Sequence, residues 1–120
     1  MPVDLVVTIH QPDFLPWQGF FERWRNSGVY IVLDDVQFIR RGWHNRDKIK
    51  TKDGVRWFTV PVVQKGKYDQ LIKDVLIDES TDWRSEHLRT LECNYRKAPG
   101  FQRCFNRLRA VYDRHHRLLI

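Results

Sequence analysis

Cysteine, glycine-rich stretches and long apolar runs are all scarce in this sequence, and each scarcity removes a class of protein. Cys93 and Cys104 are the two cysteines, with neither CxxC nor zinc-ligand spacing, so no metal site is expected. Both fall among helical apolar positions, which reads as buried free thiols in a reducing compartment. Neither has the helix N-terminal position or the neighbouring His that would make it a nucleophile. Of the six glycines, Gly19 stands alone after its strand, so no phosphate-cradling loop is present. The longest apolar run, Leu5 to Ile9, is interrupted by Thr8 and is far too short to span a bilayer. MPVDLVV lacks a basic n-region, so no secretory signal is expected and the cytoplasm is the simplest compartment. No internal repeat or low-complexity segment is visible.

What is present suits one domain over residues 1–120. Apolar and aromatic residues make up 42% of the chain, enough for a core, and five tryptophans suggest tight packing rather than a ligand cage. The net charge of +6 points weakly to an anionic partner. Its basic excess peaks at Lys97, Arg103, Arg107, Arg109, Arg114 and Arg117, on the polar face of an apparent helix. A solvated face is the simpler reading; a nucleotide-sugar, a lipid diphosphate or RNA is the alternative, and nucleic acid rests only on charge and aromatics.

The periodicity predicts an α/β fold. Val3–Ile9 and Val29–Leu33 read as short strands buried on both faces. Between them, Pro16 opens a helix with an aromatic stripe at Trp17, Phe20, Phe21 and Trp24, stopped by Ser27-Gly28. This is a right-handed parallel βαβ unit. Asn45–Lys50 and Val55–Val62 form a hairpin with its turn at Asp53-Gly54, Trp57 and Thr59 facing away from Phe58 and Val60. Leu71–Ile77 reads as an edge strand. One helix follows a cap at Ser80, Thr81 or Asp82, with Trp83, Leu88, Leu91 and Tyr95 inward. A second follows the Pro99-Gly100 break, with a stripe through Cys104, Phe105, Leu108, Val111, Tyr112 and His115. The sequence ends on that apolar pattern, which suggests the front part of a longer protein or a helix covered by self-association.

The parallel pair has a chemical consequence. Both strands finish at one sheet edge, where ligands of open α/β sheets bind, so His10, Gln11, Asp34 and Asp35 should face a common crevice. His10 suits a base near neutral pH, and Gln11 an oxyanion or substrate contact. The simpler role for His10 is a strand cap bonded to the carboxylates. Neighbouring side chains diverge, so at most one of Asp34 and Asp35 points inward. Ion pairing with Arg40, Arg41 or Arg46 would make the carboxylates structural. Trp43, His44, Asn45 and Arg46 join an aromatic surface to planar donors, suited to a sugar ring or nucleobase. His115 and His116 read as helix-surface histidines.

IHQPDFLPWQGFFERW, VLDDVQF, the R-x-W-x-N-R run with KIKTKDG, WFTVPV and WRSEHLRTLECNYRKAPGF together resemble the WbqC-like family over nearly the whole chain. On its motifs fall His10, Gln11 and Pro12 (HQP), Trp17 and Gly19 (W-x-G), and Asp34, Asp35 and Gln37 (DDVQ). Trp43, Asn45 and Arg46 match W-x-N-R, and Asn94, Tyr95 and Arg96 match NYRKAP. His44 departs from the pattern where Arg or Lys is as familiar. The resemblance implies a bacterial surface-polysaccharide (O-antigen) setting and transfer of glycine or a similar acyl group to an amino sugar. In that reaction His10 would deprotonate the sugar amine, and Asp34 or Asp35 would orient it. Gln11 and Asn45 would hold the acyl carbonyl, Arg46 would grip phosphate, and Gln37 and Trp43 would line the substrate site. No cofactor is identified. A non-catalytic binding module for a phosphorylated sugar, nucleotide or assembly partner would use the same crevice without a base.

Overall fold

The computed structural model describes residues 4–120; Val3, the expected first strand residue, lies outside them. Strand β1 (Val7–His10), helix α1 (Gln18–Arg25) and strand β2 (Val29–Val32) come first. The hairpin β3 (Arg46–Thr51) and β4 (Gly54–Thr59) follows, and helices α2 (Trp83–Tyr95) and α3 (Phe101–Tyr112) close the order. β1 and β2 pair in parallel, with Val7 opposite Val29 and His10 opposite Val32. The antiparallel hairpin pairs Arg46 with Thr59 and Thr51 with Gly54. The α/β expectation therefore holds in its main parts: a βαβ start, a hairpin and two C-terminal helices.

Local chemistry accounts for the boundaries. Gly54 carries the turn at φ +107°, where a side chain would be strained. Asp82 caps α2 by accepting a hydrogen bond from the Ser85 amide at 3.3 Å, leaving one fewer orphan donor in the first turn. Gly100, at φ +75°, separates α2 from α3. On the hairpin, Phe58 turns inward while Trp57 and Thr59 stay exposed, the alternation a pleated strand imposes.

Two buried clusters hold the fold. Phe38, Val62, Ile72 and Val75 form one, with Val36 against it. Val60, Trp83 and Tyr112 form the other, joined by Phe14, Ile77, Leu88 and Leu108. Leu119 packs on both.

Several expectations fail for physical reasons. Leu71–Ile77 is not a continuous strand. Its centre, Ile72–Asp74, winds into a single 3-10 turn that buries Ile72 completely, and only isolated bridges flank it (Gln37 to Leu71, Val62 to Ile77, Leu76 to Leu118). The charged pair Lys73-Asp74 stays in water through that turn. Cys93 and Cys104 are free but exposed, because each lies off the inward stripe of its helix. The first two strands are not buried on both faces: Ile9 is 57% exposed and Val32 50%. The aromatic stripe of α1 is likewise largely exposed at Trp17, Phe21 and Trp24. α1 touches its own sheet mainly through Phe20 and Trp24, whose ring centroids lie 5.5 and 6.1 Å from Tyr30. Finally, α3 ends at Tyr112, so His115 and His116 follow the helix rather than decorate it. The Cα radius of gyration, 16.5 Å, exceeds the roughly 14 Å of a compact domain this long, as the open βαβ unit requires.

Candidate functional site

The parallel register sets the first half of the site. Because His10 sits opposite Val32, the residues leaving β1 and β2 emerge at one edge, and the Leu33 amide donates to the His10 carbonyl at 2.8 Å. His10 is half-buried, its ring set edge-on to Phe20 at 5.3 Å. Its Nδ1 lies 2.5 Å from the Gln11 carbonyl oxygen. A carbonyl only accepts, so the proton belongs on Nδ1 and the Nε2 lone pair is left free. That is the tautomer a general base needs.

After β2 the chain runs beside the 3-10 segment. The Lys73 amide donates to the Asp34 carbonyl, Ile72 to Val36, and Phe38 to Gln70, each at 2.9 Å. This extended stretch alternates. Val36 and Phe38 turn inward with half-buried Asp34, while Asp35 and Gln37 are exposed. The two carboxylates therefore diverge, and Asp34 is the one on the inner side. Among the described residues no hydrogen bond or ion pair joins His10 to either carboxylate. They share an edge without touching.

The second half is built by two loops, the one after β1 and the one before β3. The Phe14 amide donates to the Trp43 carbonyl at 2.9 Å. His44, 5% exposed, donates from Nδ1 to the Pro12 carbonyl at 3.0 Å, with an Asp13 carboxylate oxygen 3.8 Å from the same nitrogen. His44 thus clamps the HQPD segment to the W-x-N-R segment. Asn45, 4% exposed, commits its amide nitrogen to the Val60 carbonyl at 2.9 Å, while the Val60 amide donates back to the Asn45 carbonyl at 2.7 Å. Arg46 donates to the carbonyls of Arg41 and Gly42. Its guanidinium lies 3.9 Å above the Trp57 ring, and Trp43 adds a second ring 5.6 Å from Trp57. In this geometry Asn45 and Arg46 hold the loop, while Trp43 remains half-exposed.

The same accounting explains other motif residues. Gly19 lets the Trp17 ring lie against the helix backbone, because a Cβ there would fall 2.0 Å from a ring atom and displace it. The Asn94 side-chain oxygen accepts from the Lys52 amide at 2.9 Å, and the Tyr95 hydroxyl donates to the Lys50 carbonyl. The N-Y pair of NYRKAP therefore pins the hairpin end to α2.

His87 is the polar residue that sequence reasoning missed. It is buried, stacked on Phe58 at 3.7 Å, with Nε2 donating to the Thr59 carbonyl at 2.8 Å and Nδ1 accepting from the Tyr112 hydroxyl at 3.0 Å. Burial holds its pKa below the usual imidazole value and pushes the Tyr112 phenol up to about 12. The signal was present: His87 lies four residues after Trp83 and four before Leu91, on the inward stripe.

No helix of the described residues is long and apolar enough to cross a membrane. Comparison with known proteins matches residues 11–120 to the WbqC-like protein family. An uncharacterized protein of Mycobacterium tuberculosis, Rv1507c, is 42% identical over 106 residues. That alignment covers 88% of this chain and 46% of the relative, so the chain spans about half the relative's length. No solved structure matches it.

Proposed function

Because the chain belongs to the WbqC-like protein family, we propose that it contributes the base-bearing half of an enzyme that transfers glycine or a similar acyl group to an amino sugar of a bacterial surface polysaccharide. The observation that carries this reading is the pairing of His10 with Val32 in a parallel sheet, which delivers His10, Gln11 and Asp34 to one edge with the His10 Nε2 lone pair free. In the reaction the sugar amine nitrogen attacks the carbonyl carbon of an activated acyl donor. His10 takes the proton from that nitrogen, and the bond to the donor's leaving group breaks with its electron pair. Gln11 steadies the developing oxyanion, and Asp34 favours the imidazolium through space.

The test is transfer of labelled glycine from an activated donor to an amino-sugar acceptor by the chain and by a version extended to the relative's length. His10→Ala is expected to lower the rate by about a hundredfold or more. Undiminished transfer by His10→Ala would remove the mechanism.

A second reading, a sugar-binding module without turnover, is favoured by one observation: the His10 ring bonds to the Gln11 carbonyl, and among the described residues no carboxylate orients it as a base. It predicts saturable ligand binding that His10→Ala leaves without any catalytic readout to lose.

A further inference from the structure

Beside the strand edge lies a cleft of about 290 Å³ lined by Asp13, Pro16, Trp17, Trp43 and Asp47. None of His10, Gln11, Asp34 or Asp35 lines it. Its volume is near the lower bound of small-ligand pockets, and two features of its walls stand out.

The first is that both indoles are kept in water. Trp17 is 63% exposed and Trp43 51%. Local backbone is arranged around them. Gly19 leaves space that a Cβ would take from the Trp17 ring. Leu15, two residues before Trp17, sits at φ +47°, a left-handed conformation that a non-glycine residue rarely adopts. The Phe14 amide fixes Trp43 through its carbonyl.

The second feature is charge. In a chain of net charge +6, this cleft carries two carboxylates, and among the described residues no Lys or Arg nitrogen lies within ion-pair distance of either. The His44 Nδ1 near Asp13 already gives its proton to the Pro12 carbonyl. Asp47 accepts one backbone hydrogen bond, from Lys48 at 2.6 Å, and keeps acceptor capacity free.

We propose that this cleft is a docking seat, separate from the His10 edge, that holds a pyranose bearing a protonated amine before the amine reaches His10, with the sugar's C–H face against an indole and its ammonium and hydroxyl groups donating to Asp13 and Asp47. Flat aromatic faces attract cations and the polarised C–H groups beside them, and carboxylates form the stronger, charge-assisted hydrogen bonds with ammonium and hydroxyl donors. The same carboxylates repel a phosphate, so any phosphate carrier of the sugar points out of the cleft. The ligand class rests on the amino-sugar reading above, but the seat is tested by binding alone.

The experiment is an NMR titration of the indole N–H signals with D-glucosamine, kept protonated by mildly acidic buffer, against D-glucose. Glucosamine is expected to shift the Trp17 and Trp43 signals saturably and glucose far less. Trp17→Ala should weaken binding roughly fivefold or more. Gly19→Ala should do the same by displacing the Trp17 ring, without truncating either indole. Asp47→Asn should bring glucosamine down towards the affinity of glucose. Absence of shifts at these two indoles, or equal binding of the two sugars, overturns the proposal. Amine acylation without binding here would leave the transfer reading standing and remove this seat; binding here without transfer would do the reverse.

Discussion

Ile9 and Phe58 both occupy short strands, yet Ile9 is 57% exposed and Phe58 4%. The contrast extends to their surroundings. Phe58 lies under α2, where His87 stacks on it and Tyr112 completes a hydrogen-bonded aromatic layer. Ile9 belongs to a two-stranded sheet whose helix contributes mainly Phe20 and Trp24. The region from β3 to α3 therefore derives its stability from burial. The region from β1 to β2 depends on local pairing and on the loop clamp at His44. Apolar pattern alone does not distinguish them, since pattern reports which face could be buried and not whether a partner layer is present.

The sharpest way to break this comparison is a matched pair of truncations. Ile72→Ala, at a site with no exposure, should cost about 2–5 kcal/mol. Ile9→Ala should stay within about 0.5 kcal/mol, as surface changes do. Urea unfolding of both variants checks the pair, and equal losses would erase the distinction. Next in size, Asn45→Ala strips the Val60 carbonyl of its buried donor and should cost about 1–3 kcal/mol by the same measurement. A loss confined to ligand binding, with stability unchanged, would instead make Asn45 a contact residue.

The smallest effect is conditional on pH. Burial lowers the His87 pKa in the folded protein, so the fold binds that proton less readily than the unfolded chain does. This contribution is complete above the unfolded value, about 6.5, and is lost as pH falls below it towards the lowered folded value. Unfolding midpoints measured across that window should drop on acidification, and His87→Gln should flatten the drop.

Much of this was legible in the sequence for identifiable reasons. Asp53-Gly54 announced a turn because only glycine sits easily at φ +107°, and the short apolar runs around a helix opened by Pro16 and stopped by Ser27-Gly28 announced the parallel pair. Asp82 was among the caps expected, and it is the one that accepts the Ser85 amide. Other features depended on tertiary partners that no local pattern encodes. Leu71–Ile77 has strand-like composition, but its amides and carbonyls are drawn to segments 34–38 and 117–119, and its centre tightens into a turn. Cys104 lies in an apolar stripe by spacing, yet the inward arc of α3 is centred on Phe105 and Tyr112. Asn45 and Arg46 looked like ligand donors because planar polar groups beside a Trp have that chemistry. Their carbonyl partners are Val60, just past β4, and Arg41 and Gly42, in the loop before β3, which only the folded chain brings into reach. Trp17 read as a helix-face residue, whereas its isolation beside Asp13 and Asp47 appears only once two loops meet.

Leu119 adds a different kind of consequence. It contacts both buried clusters, and its amide donates to the Val75 carbonyl at 2.9 Å. Two clusters sharing one side chain lose and regain their packing together, so the 3-10 turn and the α2–α3 layer form one cooperative unit. The β1–β2 ribbon lies outside that linkage and is expected to open on its own. Slow amide exchange would thus divide the molecule along the loop that His44 clamps, leaving the candidate site astride the boundary between a rigid body and a breathing one.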